Sequence, residues 1–296
     1  MIKIISKATS ANMGPGFDCM GICLGLANAL TFEEYDDAII VNNYADTMKN
    51  RQNLIISSFY KASDIIGYSP KGLKLNVKTS VPLSRGLGSS ATCITAGVLG
   101  AYLLAGEKVD LSEVFQISAK IEGHPDNVSP NIYGGMTLSY TKGDGSYSYI
   151  KFNADKKYRF VAMIPDFKLS TEKSRQVLPE SYSRQDAVFN VSRTSMLIHA
   201  LQTGDNELLK DALHDKIHQP YRKSLIKNYD EITTLLLENG AIGTYLSGAG
   251  PTIMGIIDNE SAYKNISSAL RNSEYAMGWN CEMLTVDDSG IEWYTE

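Results

Sequence analysis

Pro82-Leu83-Ser84-Arg85-Gly86-Leu87-Gly88-Ser89-Ser90-Ala91-Thr92 is the stretch on which the reading of this chain turns. An alternating segment, Leu73-Lys74-Leu75-Asn76-Val77-Lys78, precedes it, and a small-residue apolar helix from Ala91 to Leu104 follows. Gly86 and Gly88 permit left-handed backbone and close approach of a ligand. Ser89 and Ser90 are of the type that caps a helix N-terminus. A helix opening here aims unpaired N–H groups and the positive end of its dipole at the loop, which suits a phosphate. A P-loop would end in Gly-Lys-Ser/Thr, and the chain has no Gly-Lys dipeptide. Gly86 to Ala91 fits the dinucleotide pattern G-x-G-x-x-A, but that pattern follows directly on a buried apolar strand. Here the strand alternates, as a half-exposed one does, and Thr79 to Arg85 intervenes. The remaining alternative is a plain Gly-Ser turn that caps a helix.

The rest of the chain sets bounds. Its 296 residues suffice for two domains or one large one. Hydrophobic residues make up 43% and charged residues 21%, ordinary for a soluble globular enzyme. A net charge of −5 and the lack of any Lys/Arg-rich run argue against a nucleic-acid surface. The start, Met1-Ile2-Lys3-Ile4-Ile5-Ser6-Lys7, turns polar too soon for a signal peptide, and no window is apolar enough for a membrane helix. A cytoplasmic protein is expected. Cys19, Cys23, Cys93 and Cys281 form no Cys-x-x-Cys and read as buried free thiols. His214-Asp215-Lys216-Ile217-His218 faintly echoes a zinc-protease helix, but a solvated helix face is the better reading.

In chain order, residues 1–8 read as a strand and Thr9 to Asp18 as a Gly/Pro-broken loop bracketed by Asn12 and Asp18. Asx-turn chemistry and a polar pocket lining are both open for these two residues. Strands are expected at 20–35, 38–43 and 73–78, with a helix from Asn53 to Ile66. Asp110-Leu111-Ser112-Glu113 is a capping-box pattern that opens a helix to about Ile121. Glu122-Gly123-His124-Pro125-Asp126-Asn127 stops it and crowds four chemically able side chains into six residues. If the 82–92 loop holds a triphosphate, Glu122 or Asp126 is placed to give Mg²⁺ an oxygen; a polar surface loop is the alternative. Strands are expected at Asn131 to Tyr140 and Tyr147 to Phe152.

Composition shifts near residue 153, which suggests domains at 1–153 and 154–296. The second half reads as a strand at 158–164, a polar helical stretch from Ser170, and helices at 184–203, 205–214 and 229–237. A Gly-rich turn, Leu246 to Thr252, then sits between apolar strands, before a helix at 260–272 and a last strand at 281–287. That order resembles a split β-α-β sandwich.

Three glycine-containing blocks, Ser10 to Asp18, Pro82 to Thr92 and Leu246 to Thr252, resemble in order and position those of the GHMP kinase superfamily. The second matches the signature P-x-x-x-G-L-G-S-S-A at ten consecutive positions. Ser10-Ala11-Asn12-x-Gly14-x-Gly16-Phe17-Asp18 and Glu122 to Pro130 are most similar to the homoserine kinase branch. The resemblance implies an α+β, two-domain GHMP kinase fold. Its N-terminal domain would be ribosomal-protein S5-like, ATP-binding, with a left-handed crossover; its C-terminal domain would be ferredoxin-like. The implied reaction is phosphoryl transfer from ATP, with Mg²⁺, to the hydroxyl of L-homoserine, giving O-phospho-L-homoserine in threonine synthesis.

The resemblance also assigns residues. The phosphate loop is Pro82, Leu83, Ser84, Arg85, Gly86, Leu87, Gly88, Ser89, Ser90, Ala91 and Thr92, with Asn53 on the adenine side. Glu122 and Ser90 attend the metal. Asn12, Asp18, His124, Asp126, Thr171, Arg175 and Arg222 form the substrate pocket, with Asp18 on the ammonium and Thr171, Arg175 and Arg222 on the carboxylate. Asn127, Asp126 and Arg175 are the catalytic candidates. Asn127 would orient the hydroxyl, Asp126 would be a substrate contact or base, and no strong base is required. Two other readings stand beside this one: a related kinase for mevalonate or shikimate, and a ligand sensor on a kinase scaffold. The sequence leaves the oligomeric state open, a homodimer included.

Overall fold

A computed structural model describes residues 1–36, 38–43 and 53–295. The first half contains β1 (Ile2–Asn12), β2 (Gly16–Glu34), β3 (Ile39–Asn42), α1 (Leu54–Ile66), β4 (Leu73–Lys78), α2 (Ser89–Leu104), α3 (Leu111–Glu122), α4 (Val128–Tyr133), β5 (Met136–Thr141) and β6 (Tyr147–Phe152). The second contains β7 (Arg159–Pro165), α5 (Thr171–Gln176), α6 (Arg184–Thr203), α7 (Asn206–Ala212), α8 (Gln219–Arg222), α9 (Tyr229–Glu238), β8 (Gly243–Leu246), β9 (Ile253–Ile257), α10 (Glu260–Arg271), β10 (Trp279–Leu284) and β11 (Glu292–Thr295).

The first sheet runs β11-β1-β2-β4-β3, with β5 on β2 and β6 on β5. β2 is long enough, at 19 residues, to pair β5 through Met20–Ile22 and β4 through Ala29–Glu34. Leu73, Leu75 and Val77 of β4 are buried, as the alternation requires. They meet α1 and α2 in one core with Phe32 and Phe59, whose rings stack 6.1 Å apart. Truncating a ring such as Phe59 to alanine would cost about 3–5 kcal/mol. Every residue of α2 from Ala91 to Tyr102 is buried, which explains its lack of a polar face. Its small side chains let α1 come close.

The second sheet is antiparallel, ordered β10-β7-β9-β8, or 4-1-3-2 in its own chain order. That is the ferredoxin-like arrangement expected. β7 is apolar on both faces because both are covered: Val161 and Met163 meet α9 and α10, while Phe160 and Ala162 meet α6 and α7. The second core also takes Ala8, Met13, Met20, Ile22 and Leu87 from the first half. The two halves therefore share a core.

Several elements differ from expectation. Asn131 lies in α4, so only the later part of the 131–140 strand forms, as β5. Gly134 and Gly135, both at positive φ, separate the two. β3 pairs in parallel with β4. The last strand expected at 281–287 spans 279–284, and β11 beyond it was not expected. β11 pairs antiparallel with β1, Ile2 opposite Thr295, so the chain's last strand belongs to the first sheet, across the 153/154 line.

Candidate active site

The three glycine-containing blocks meet at one place. Ser247 Oγ donates to Gly86 O at 2.5 Å, Gly248 N–H to Ala11 O at 3.0 Å, and Thr252 N–H to Arg85 O at 3.2 Å. Asn12 Nδ2 donates to Gly248 O at 2.9 Å. The contacts need glycine: a Cβ on Gly86 would lie 2.5 Å from Ser247 O, and one on Gly88 would lie 1.8 Å from Thr9 Oγ1. A cleft of about 140 Å³ opens where they converge, the scale of a small metabolite.

One wall is the loop and the start of α2. Ser84, Gly86, Gly88, Ser89 and Ser90 line the cleft. Contrary to expectation, neither serine is the N-cap. Gly88, at φ +65°, holds that position, and no side chain caps the helix. Ser89 Oγ instead accepts from Ser84 N–H at 3.3 Å, and Ser90 Oγ donates to Glu122 Oε2 at 2.6 Å. The first N–H groups of α2 thus end in the cleft without an intrahelical partner, as an anion site requires. Pro82, Leu83 and Arg85 face a neighbouring groove with Lys168. Arg85 also ties the loop to the second half by donating to the Pro165 and Asp166 carbonyls. Leu87, Ala91 and Thr92 are buried structural members. Asn53 is fully buried as the N-cap of α1, accepting from Ile55 and Ile56 N–H, and does not line the cleft.

A second wall is the turn after α3. His124 Nδ1 lies 2.5 Å from Asp126 Oδ1, and its Nε2 lies 3.9 Å from Glu122 Oε1. Burial opposes a charge on His124, but the hydrogen bond and charge of Asp126, aided by Glu122, outweigh it and hold the imidazole up at about 9. Burial pushes the Glu122 carboxyl up, against the hydrogen bond from Ser90. Asn127 completes this wall. Ser90 and Glu122 are hard oxygen donors side by side at the phosphate-type helix end. That donor set fits Mg²⁺, which keeps waters and takes one or two carboxylates plus phosphate oxygens. Among the described residues no three His, Cys, Asp or Glu side chains are arranged to hold a metal alone.

The third wall carries the arginines. Arg175 donates to both oxygens of Asp18, each at 2.9 Å, and that pairing raises its pKa. Thr171, one turn earlier on α5, also lines the cleft. Arg222 is 2% exposed, donating to Ser174 O and Gly248 O. Among the described residues no carboxylate lies within 4 Å of it, and burial, with the Arg175 charge, lowers it to about 10. Both guanidiniums sit over the Phe17 ring, at 5.9 and 5.1 Å. Asn12, Met13 and Asp18 all have left-handed φ, at 69°, 45° and 55°. Three such non-glycine residues in one turn is the kind of strain that gathers at functional sites. Asn12 Oδ1 accepts from Asp18 N–H at 3.0 Å, so both ends of its amide brace the turn.

Sequence reasoning missed the group behind Arg222. Asp215 and His218 are not a solvated helix face: they lie in the loop before α8, with both side chains fully buried. Asp215 accepts from the N–H groups of Ile217, His218 and Gln219. His218 donates from Nε2 to Gly14 O at 2.8 Å, accepts from Arg222 at Nδ1, and stacks on Phe17. Burial lowers its pKa, so it is the neutral acceptor Arg222 needs. The one advance signal was the Asp-x-x-His spacing, which local charge masked. None of the four cysteines is in a disulfide, as expected; Cys23 and Cys93 are buried, whereas Cys19 and Cys281 are only partly so.

Comparison with known proteins agrees with this geometry. Residues 53–135 match the family model of the GHMP kinases N terminal domain, and 197–276 that of the GHMP kinases C terminal domain. The chain is 41% identical over 295 residues to a homoserine kinase of Caldicellulosiruptor bescii, covering 98% of this chain and 96% of that one. It is 42% identical over 292 residues to a homoserine kinase of Clostridium botulinum, covering 98% and 97%. Among solved structures, homoserine kinase from Cytophaga hutchinsonii superposes with a TM-score of 0.86 at 25% identity, covering 99% of this chain and 97% of that one.

Proposed function

Since the chain belongs to the homoserine kinase family of the GHMP kinases, we propose that its cleft transfers the γ-phosphoryl group of ATP to the side-chain hydroxyl of L-homoserine, giving O-phospho-L-homoserine and ADP. One observation carries the acceptor's identity: Arg222 is buried at the cleft with no carboxylate partner among the described residues. A guanidinium desolvated in that way calls for an anion, and a bidentate carboxylate is its best match. Asp18, beside it, suits the ammonium group of the same amino acid. Thr171 and Arg175 close the carboxylate end.

The 82–92 loop and the bare start of α2 then hold the triphosphate, with the groove at Pro82, Leu83 and Arg85 on the nucleoside side. Residues 1–153 thereby supply the donor site, and the second half supplies both arginines. Ser90 and Glu122 hold Mg²⁺, which when bound neutralises phosphate charge. His124, kept protonated by Asp126, adds a positive charge at the acceptor end. Asn127 orients the hydroxyl. Transfer through a loose transition state needs positioning and charge stabilisation more than a base, so Asp126 serves as the partner of His124. The reading places the enzyme in the cytoplasm, and no helix among the described residues is long and apolar enough to cross a membrane. The residues this reading uses all come from one chain.

ADP release with Mg-ATP and a panel of L-homoserine, mevalonate, shikimate, galactose and L-serine tests this. Turnover with L-homoserine alone is expected. Turnover with another alcohol would keep the loop and Glu122 and discard the amino-acid pocket. Silence with all five, despite ATP binding, would favour the sensor reading.

A further inference from the structure

Asn127 lines the cleft, and its neighbours set which end of its amide faces the acceptor. Its backbone N–H donates to Asp126 Oδ1 at 3.0 Å, and it stands at the start of α4 without capping that helix by its side chain. Its Oδ1 accepts from Thr9 Oγ1 at 2.8 Å, and its Nδ2 has no hydrogen-bond partner among the described residues. Thr9 is fully buried in β1, opposite Cys23 of β2. Its N–H donates to Leu87 O at 3.2 Å, and its hydroxyl packs on Gly88, where a Cβ would come within 1.8 Å. One residue thus touches the donor loop through backbone and side chain and the acceptor wall through its hydroxyl.

We propose that Thr9 is a positioning residue: its hydroxyl holds the Asn127 carbonyl end, so the amide presents its NH₂ to the acceptor oxygen, and it sets the spacing between Asn127 and the phosphate loop. A hydroxyl that donates to Oδ1 satisfies the acceptor end of the amide and fixes which way it faces. With an N–H donor on one lone pair of the substrate oxygen, its other lone pair is left to face the phosphoryl group and its proton points away from Asn127. Thr9 itself touches no substrate. The assignment rests on the kinase reading above, but the orientation of Asn127 does not.

Thr9→Val keeps the shape of the side chain and removes the hydroxyl; Thr9→Ser keeps the hydroxyl. A misplacement of this kind costs about 10- to 100-fold in rate. Thr9→Val is expected to lower kcat by that factor with both KM values within about threefold, while Thr9→Ser restores it. On an Asn127→Ala background Thr9→Val should add nothing further, because its effect passes through Asn127. Losses that multiply, or a loss in Thr9→Val matched by Thr9→Ser, overturn the proposal and leave Thr9 a packing residue. A readout independent of turnover is the Asn127 side-chain amide signal in ¹H–¹⁵N spectra, assigned by its loss in Asn127→Ala. Thr9→Val should move it and Thr9→Ser leave it in place; an unmoved signal in folded Thr9→Val overturns the proposal. If the signal moves but the wild type does not phosphorylate L-homoserine, the kinase reading alone fails.

Discussion

Arg222 and His124 show how single residues here are tuned by what surrounds them. Arg222 is desolvated and held over Phe17 by carbonyls and a neutral imidazole, none of which neutralises it. Arg222→Lys keeps the charge and loses the fork. A charge-assisted hydrogen bond contributes about 1.5–3 kcal/mol, so kcat/KM for L-homoserine should fall about 10- to 100-fold while KM for ATP stays within about twofold. Equal effects on the two substrates would sink the carboxylate assignment. His124 is the titratable counterpart. Its folded pKa of about 9 lies above its ordinary value of 6.5, so its pairing with Asp126 stabilises the fold fully below pH 6.5. That stability is lost as pH rises through about 9. Across this window Tm of the wild type should fall relative to His124→Gln, as thermal melts at stepped pH will show; parallel curves would mean the pair contributes nothing.

Among the elements, α2 and its loop were the most legible and also the most instructive error. The glycines, the small-residue helix and the alternating β4 were read correctly from local pattern. The capping role of Ser89 and Ser90 was not, because propensity makes serine a cap wherever one is free, whereas here Thr9 leaves room only for glycine. That constraint comes from a residue 79 positions away in the chain, invisible to local reading. The same holds for α4, whose six residues are too short for a periodic signal, and for Asp215 and His218, whose partners Asn190, Gly14 and Phe17 are distant in sequence. The central residues Asn12, Asp18, Glu122, His124, Asp126, Asn127, Thr171, Arg175 and Arg222 all reach one cleft; Asn53 does not. Gly88→Ala tests the loop's geometry. A left-handed alanine costs about 1–2 kcal/mol, and its Cβ collides with Thr9. KM for ATP should rise more than about tenfold. Gly106→Ala, with φ +72° and open space around it, is the control: a small loss of Tm and unchanged kinetics. If both behave alike, strain alone explains Gly88.

Across the whole molecule, the two halves are bound by more than the cleft. β11 closes the edge of β1, Ile291 enters the first core, and Lys7 pairs with Asp287 at 2.9 Å and Glu292 at 3.5 Å. No periodicity in four residues could have announced β11. Removing residues 289–296 deletes Ile291, the β11–β1 pairing and the Lys7–Glu292 contact, and leaves the Lys7–Asp287 pair in place. Losing a buried isoleucine costs about 2–5 kcal/mol, so Tm should fall by about 5 °C or more, with both KM values kept well below the melt. An unchanged Tm would show β11 to be dispensable.

Asp18 and Arg175, from opposite halves, are bound to each other. Each is then a placeholder for one end of the proposed substrate, and binding becomes an exchange of partners: one ion pair opens and two form. A molecule with only one charge cannot complete that exchange. It opens one pair, makes one, and strands the other group. The cleft would therefore count charges before it measures shape. 4-Hydroxybutanoate and 3-aminopropan-1-ol, each missing one end of L-homoserine, should both bind at least about 30-fold more weakly, the cost of one unpaired group. Inhibition constants for the two will decide it, and an affinity for either that matches L-homoserine would mean that Asp18 and Arg175 never let go.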